Sequence, residues 1–232
     1  MIGIIVQLLI SWVIIWIFEK GNLSFLGLSF TKERLIDFAS FLLITAVCSS
    51  LGFLLRIYFG EEQWELNPLL NVSLILKSIW QNIKSVMFEE LIFRGVLLYI
   101  LLKKFGFTKA MIISAIAFGI YHWFSFGVFG NIPQMAIVFI TTGIMGLLLA
   151  FGYAKTYSLY IPIAIHLGWN LVNGFVFSLK PIDTSIFIPV KSQPSVHISY
   201  LLYYSIILMP MLCTLLFNFL ILKRHRQSEP IR

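Results

Sequence analysis

Long apolar stretches recur along this chain at the length of a membrane-spanning helix. A helix needs about 20 mostly apolar residues to cross the hydrocarbon layer of a bilayer. Such stretches lie at positions 2–18, 38–59, 71–102, 110–124, 134–153, 158–179 and 199–222, and no long polar segment separates them. The pattern predicts an all-α fold, a polytopic transmembrane helical bundle of about seven spans, with six to eight as the range.

The composition excludes a water-soluble globular domain. Hydrophobic residues make up 59% of the chain and charged residues only 12%, whereas a soluble domain has about 25% charged residues. The stretch 2–18 lacks the basic start and the Ala-x-Ala pattern of a cleaved secretion signal, so we expect it to be a retained span. The pattern divides the chain into two N-terminal transmembrane helices (1–70), a helical core (71–180), and a loop, last span and basic tail (181–232).

The least apolar connection, 180–197, contains three prolines and is predicted to be an ordered loop or a re-entrant piece. The net charge of +7 does not indicate a nucleic-acid partner, because the basic residues occupy short loops and the tail instead of one stripe. Lys and Arg are retained on the cytoplasmic side of a membrane. An odd number of spans therefore predicts an outside amino terminus and a cytoplasmic carboxyl terminus. The basic residues then on the cytoplasmic side are Lys20, Lys32, Arg34, Lys103, Lys104, Lys109, Lys155, Lys223, Arg224, Arg226 and Arg232.

The third predicted span carries three charged residues in otherwise apolar sequence: Glu89, Glu90 and Arg94. A charge at the centre of a spanning helix costs about 2.5–3.5 kcal/mol on insertion scales, so such residues face a cavity or a partner and indicate function. Glu90 and Arg94 are four apart and share a helix face, where they can pair. Glu89 points about 100° away, which leaves its carboxylate available for another role.

Two later spans contribute further polar side chains, His122 in one, His166 and Asn170 in the other. Glu89, His122 and His166 are similarly far along the sequence from the nearest lysines of the predicted cytoplasmic loops. At a rise of about 1.5 Å per residue, they lie at depths of roughly 16–21 Å. The similar depths predict one shared site, and Pro162 predicts a kink one turn before His166.

Structural roles compete with this interpretation. A lone histidine in a span is commonly an interhelical hydrogen bonder, and a Glu–Arg pair is often only a brace. The common depth of the residues favours a site over a set of unrelated contacts. His197 in a loop, His225 in the tail and Lys84 receive no functional role.

At these residues the chain resembles the CPBP family, which comprises the CAAX proteases and bacteriocin-processing enzymes and is also called Abi. Three motifs occur in order. They are Glu-Glu-x-x-x-Arg from Glu89 to Arg94, Phe-x-x-x-His from Phe118 to His122, and His-x-x-x-Asn from His166 to Asn170. All three lie within the third to sixth predicted spans, and the flanking spans add apolar agreement without a motif.

The resemblance implies hydrolysis of a peptide bond within the membrane, and the residue chemistry agrees with it. Glu89 with His122 would act as general base on a water molecule. His166 and Asn170 would donate hydrogen bonds to the oxyanion on the substrate carbonyl, while Glu90 and Arg94 would hold the helix. A zinc ion is left open: Glu89, His122 and His166 could form a three-ligand site, but no His-Glu-x-x-His element is present.

The expected partners are the lipid bilayer and a membrane-associated peptide or protein substrate. A bacterial plasma membrane is the expected location, and peptide maturation or bacteriocin self-immunity is the role suggested by analogy. A non-catalytic membrane scaffold or immunity protein with the same fold is the alternative. A proton-coupled transporter ranks lower, because the sequence shows no two repeated halves.

Overall fold

The computed structural model describes residues 2–178, 185–190, 198–225 and 227. Helices dominate it, which confirms the predicted all-α class. A short 3-10 turn, Leu23–Leu26, follows the first helix, and a π-helix, Leu171–Val176, continues the sixth. The α-helices are α1 (Ile2–Glu19), α2 (Lys32–Phe59), α3 (Val72–Phe93), α4 (Val96–Ser125), α5 (Ile132–Thr156), α6 (Tyr160–Asn170) and α7 (Tyr200–Arg224).

Four of these helices are long and apolar enough to cross a membrane, judged by length and composition: α1, α2, α5 and α7. α6 has only 11 residues, and α3 carries lysines and glutamates along its length. The membrane character of the chain is thus confirmed, while the count of seven spans stays a prediction.

The predicted single span at 71–102 is wrong, because two helices share this stretch. α3 ends at Phe93 and α4 begins at Val96. Between them Gly95 adopts φ −77° and ψ −136°, and a Cβ at Gly95 would clash with the carbonyl oxygen of Leu91. The break also removes the basis of the depth estimate for Glu89, which assumed a continuous helix as far as Lys103.

α4 contains the predicted span 110–124 but is itself bent. Gly106 lies inside it with φ 77° and ψ 175°, a backbone conformation outside the helical region. L-residues with a side chain rarely adopt this φ, so glycine is required here by its torsion angles. A Cβ at Gly106 would meet no atom within 4 Å.

The kink predicted from Pro162 is also wrong. α6 begins at Tyr160, so Pro162 lies in its first turn. The backbone N–H groups of a first turn have no partner within the helix, so the missing N–H of proline costs nothing there. The helix continues through His166 to Asn170 and then widens into the π-helix, where the Phe177 N–H donates to the carbonyl of Val172, five residues back, at 2.9 Å.

The chain forms two compact units. Unit 1 comprises Met1–Phe38, Val86–Ile163 and Phe219–Arg232, and unit 2 comprises Ala39–Ser85 and Ala164–Asn218. Each unit combines stretches from all three predicted segments of the sequence, so the division at 70 and 180 stays a prediction about chain order.

In unit 1, α4 packs along α5, and the loop after α1 closes on the end of α5. The Tyr153 hydroxyl, fully buried, donates to the carbonyl of Phe25 at 2.9 Å. The Ser158 hydroxyl donates to the carbonyl of Gly27 at 3.1 Å. Gly27 has φ 64°, and a Cβ there would clash with the backbone of Tyr157.

In unit 2, aromatic rings and a two-stranded antiparallel sheet hold the ends of the helices. Strands β1 (Trp64–Leu66) and β2 (Phe187–Pro189) pair with Glu65 opposite Ile188. Phe53 of α2 stacks on Phe177 with ring centroids 4.4 Å apart. β2 belongs to the described part of the loop predicted at 180–197. The rest of that loop, with His197, lies outside the described residues, so its prediction as ordered or re-entrant is untested there.

Candidate active site

A fully buried ion pair joins Glu90 and Arg94 at the end of α3. Arg94 Nη1 lies 3.1 Å from Glu90 Oε1, and both side chains are 0% exposed. The predicted pairing of these two residues is confirmed. A charge in this setting is expensive unless its partner is present, so the pair stabilises the site only as a pair.

Arg94 is fixed by two further contacts from other helices. Its Nη2 donates to the carbonyl oxygen of Gly146 in α5 at 3.1 Å. Its guanidinium carbon lies 4.0 Å from the centre of the Phe118 ring in α4, within the range of a cation–π interaction. Arg94 thereby connects three helices of unit 1. The guanidinium of Arg94 is a structural anchor.

Gly146 leaves the space that this arrangement needs. A Cβ at Gly146 would lie 3.0 Å from Phe118 Cδ1 and 3.1 Å from Arg94 Nη2. In the sequence, Gly146 is only a small residue suited to a close helix contact. Every residue type has a backbone carbonyl, so the sequence cannot reveal that this carbonyl accepts a hydrogen bond from Arg94. Ser114 is another contact that the sequence does not reveal: its hydroxyl donates to the carbonyl of Phe93 at 2.9 Å, which ties α4 to the end of α3.

Glu89 and His122 form a second, wider pair. His122 Nε2 lies 3.8 Å from Glu89 Oε2, and the side chains are 7% and 11% exposed. Glu89 and Glu90 are adjacent in α3, so their side chains point about 100° apart around the helix, as the sequence predicts. His122 lies in the last turn of α4. This separation exceeds a direct hydrogen bond, and a water molecule can bridge polar atoms at such a distance.

A backbone contact fixes the tautomer of the neutral His122 ring. Its Nδ1 lies 2.8 Å from the carbonyl oxygen of Phe118. A carbonyl only accepts, so Nδ1 carries the proton, and in the neutral ring Nε2 is the acceptor. The ring also makes edge contacts with Phe118, Tyr121 and Phe126, with centroids 4.4, 5.3 and 5.1 Å away. His122 is held in one tautomer and orientation, with its basic nitrogen toward Glu89.

His166 and Asn170 belong to unit 2, and the structure describes them there by themselves. His166 is 7% exposed, and Asn170 is the last residue of α6, directly before the π-helix. α6 lies close to α2 at this level: a Cβ at Gly168 would be 2.7 Å from the carbonyl oxygen of Leu42. Convergence of these two residues with Glu89 and His122 stays a prediction.

Asn173 is a polar residue of the same segment that the sequence reasoning missed. Its Nδ2 donates to Ser49 Oγ in α2 at 2.6 Å and to the carbonyl of Trp169 at 2.9 Å. These residues line a cavity of about 130 Å³ in unit 2, together with Arg56 and three residues of α7, Ile206, Ile207 and Pro210. An asparagine in an apolar span is the signal that could have drawn attention to it.

Within the described part of the chain, no group of three or more His, Cys, Asp or Glu side chains is arranged to hold a metal ion. A catalytic zinc site has three protein ligands and one open position. Glu89 and His122 provide two donors, and the third candidate, His166, lies in the other unit. A zinc ion on Glu89, His122 and His166 therefore stays a prediction.

Fold and site together describe a membrane-embedded protein whose buried carboxylate and imidazole are suited to proton transfer, as in a membrane protease. Residues 71–172 match the family described as type II CAAX prenyl endopeptidase Rce1-like, which is the CPBP family. The match supports an intramembrane protease in kind. No curated protein and no solved structure matches the chain.

Proposed function

We propose that this protein is an intramembrane endopeptidase that hydrolyses a peptide bond in a membrane-associated peptide or protein. One observation carries the proposal: Glu89 Oε2 and His122 Nε2 lie 3.8 Å apart, shielded from bulk solvent, inside the segment that matches a protease family. Two proton acceptors at this spacing suit a water molecule held between them. Such a water is the nucleophile that peptide hydrolysis requires.

The reaction follows from these groups. Glu89 takes a proton from the water as its oxygen bonds to the substrate carbonyl carbon, and His122 orients the water through Nε2. The carbonyl becomes an oxyanion, which His166 and Asn170 stabilise by hydrogen bonds. The carbon–nitrogen bond then breaks, and the proton passes from Glu89 to the leaving amine. Glu90 and Arg94 take no part in proton transfer and hold the end of α3.

A metallopeptidase is the second catalytic type to test. A zinc ion on Glu89, His122 and His166 would polarise the carbonyl and acidify its bound water. The two types predict different responses to metal removal, because only the metal-dependent enzyme loses activity to a chelator and regains it with zinc.

The test compares membrane peptidomes of cells that carry the native protein, Glu89→Gln or His122→Ala, each with and without a chelator. General acid–base catalysis contributes about 10²–10⁴-fold, so products of the native protein should fall by that factor in both variants. His225→Ala is the matched control, because His225 lies outside the family match and pairs with Asp37 at 3.4 Å.

Unchanged products in both variants, at native protein levels, would reject the peptidase. A phenotype that survives both substitutions would favour the scaffold or immunity role, and proton-coupled flux in reconstituted vesicles would favour the transporter.

We further propose a bacterial plasma membrane as the location, with the amino terminus outside and the carboxyl terminus in the cytoplasm. The loop charges of the sequence support this orientation. Peptide maturation or bacteriocin self-immunity is the biological role that the family resemblance supports.

A further inference from the structure

Residues 72–84 of α3 expose a face with two chemically distinct halves. Val72, Leu76 and Trp80 form an apolar row with four-residue spacing, and all three are exposed. Beside it lies a row of exposed polar side chains, in which a lysine stands on each side of a glutamine. This row, Lys77, Gln81 and Lys84, is called the cationic strip here. Spacings of four and three residues keep its members on one side of the helix.

The two lysines have no counter-charge within the described part of the chain. Neither Lys77 nor Lys84 makes a hydrogen bond or an ion pair with any described residue. By contrast, Lys103 pairs with Glu19, and Arg56 with Glu62. Charged residues on the helices of a membrane protein are expensive, and they face a water-filled cavity or a partner that neutralises them. We therefore expect the cationic strip to bind an anionic partner.

We propose that the cationic strip binds an acidic segment of the peptide substrate in an extended conformation. This inference rests on the proposed peptidase function. Lys77 and Lys84 are seven residues apart, which separates them by about 10.5 Å along the helix axis. An extended peptide in the polyproline II conformation advances about 3.1 Å per residue with three residues per turn, so carboxylates three positions apart lie on one face and reach both lysines. Gln81, between them, offers the donor and acceptor that a peptide backbone needs.

The spacing favours a peptide over a phospholipid headgroup. One phosphate is a single anionic centre, whereas the backbone positions of the two lysines are about 10.5 Å apart along the helix axis, so a ligand with two separate anionic groups matches the strip better. Lysine stems can also extend toward a membrane interface without any partner, but that explains neither the glutamine between them nor a second lysine deeper in α3. Lys84 precedes Glu89 by five residues in the sequence, and both belong to α3.

The experiment measures binding, so that cleavage is not required. Full-length protein with Glu89→Gln is reconstituted in phosphatidylcholine nanodiscs and titrated with two fluorescent, acylated peptides. The peptides are identical except for two positions three apart, which are Asp in one and Asn in the other. We expect about tenfold tighter binding of the Asp peptide, as two partly screened ion pairs would give.

Variants then test the strip itself. Lys77→Gln/Lys84→Gln should bind both peptides equally, and Lys77→Glu/Lys84→Glu should prefer a third peptide with Lys at those positions. The matched control is Lys32→Gln/Lys109→Gln, which removes two exposed lysines of unit 1 and should keep the Asp preference. Equal affinity of the parent protein for the Asp and Asn peptides would overturn the proposal without reference to any lysine variant.

Two further outcomes separate peptide binding at the strip from lipid binding and from catalysis. If phosphatidylglycerol vesicles compete through Lys77 and Lys84 while the Asp preference is absent, the strip binds lipid and the proposal is wrong. An Asp preference that depends on the lysines, in a protein that cleaves nothing with Glu89 restored, would support the strip and reject the peptidase. Glu89-dependent cleavage with no Asp preference would reject the strip alone.

Discussion

Two adjacent carboxylates, Glu89 and Glu90, meet two different basic partners in unit 1. Glu90 contacts Arg94 at 3.1 Å with both side chains fully buried. Glu89 faces His122 at 3.8 Å with both side chains slightly exposed. One residue of offset along α3 separates a closed ion pair from an open acid–base pair, because a helix turns about 100° per residue.

The difference follows from the chemistry of the partners. Arginine stays charged at any relevant pH and offers a rigid fork of donors, so it can hold a helix but cannot accept a proton. Histidine changes its charge near neutral pH and can give or take a proton. We therefore expect the Glu90 pair to govern stability and the Glu89 pair to govern activity, and the following substitutions test that division.

The largest effect is expected for Arg94→Leu. It leaves Glu90 buried without its counter-charge, which should lower the free energy of unfolding by about 3–5 kcal/mol. Tryptophan fluorescence during denaturation in detergent micelles measures it. Glu90→Gln/Arg94→Leu removes both charges and should recover much of the loss, whereas Glu89→Gln should change stability by less than about 1 kcal/mol. An Arg94→Leu variant with native stability would contradict the stabilising role of the Glu90 pair.

Phe118→Leu should have the next largest effect. It removes the ring 4.0 Å from the Arg94 guanidinium and the edge contact with Phe93 but keeps the backbone carbonyl that fixes His122. The lost cation–π and aromatic contacts amount to about 1–3 kcal/mol of stability. Activity per folded molecule, measured with a cleaved reporter, should stay within a few-fold of native. A large loss of activity at normal stability would show that the ring positions His122.

Gly146→Ala should lower stability by about 1 kcal/mol. Its Cβ would crowd Phe118 and Arg94 at 3.0–3.1 Å, and this crowding exceeds the gain in helix propensity of about 0.5–1 kcal/mol. The control is Gly143→Ala, one turn earlier in α5, where the nearest atom would be 3.8 Å away. That variant should be slightly stabilised. Equal thermal midpoints for the two variants would contradict the proposed role of Gly146.

The smallest effect is expected for Lys103→Gln. Lys103 contacts Glu19 at 2.6 Å, but its side chain is 48% exposed, and exposed pairs contribute at most about 1 kcal/mol. Added salt screens such a pair, so native and variant should converge in stability as salt is raised. The Arg94 variant should stay destabilised at every salt concentration. A salt-independent loss for Lys103→Gln would place this pair with the buried one.

Much of the fold follows from apolar length alone. α1, α2, α5 and α7 lie close to their predicted positions. An uninterrupted apolar stretch of about 20 residues leaves the backbone few alternatives to a helix in a membrane. The break at Gly95 does not follow, since apolar sequence continues on both sides and a glycine is also tolerated inside a membrane helix. What requires glycine there is the position of the Leu91 carbonyl, a property of the folded backbone.

The candidate site likewise has contacts that the sequence predicts and contacts that it does not. A four-residue spacing is sufficient to predict the contact between Glu90 and Arg94, and comparable depth brings Glu89 and His122 into one hypothesis. The Gly146 carbonyl that holds Arg94 lies 52 residues away in the chain and has no residue-specific signature. The catalytic roles of Glu89, His122, His166 and Asn170 stay predictions.

The π-helix after Asn170 changes the rotation per residue in this part of the chain. A hydrogen bond that spans five residues puts more residues into each turn than an α-helix has. An α-helical wheel continued past Asn170 therefore assigns the wrong orientation to the residues from Leu171 to Val176. In a cysteine-labelling scan through this segment, the period of the labelling pattern should change at Leu171. Substitutions chosen from an α-helical wheel would therefore fall on the wrong side of the segment.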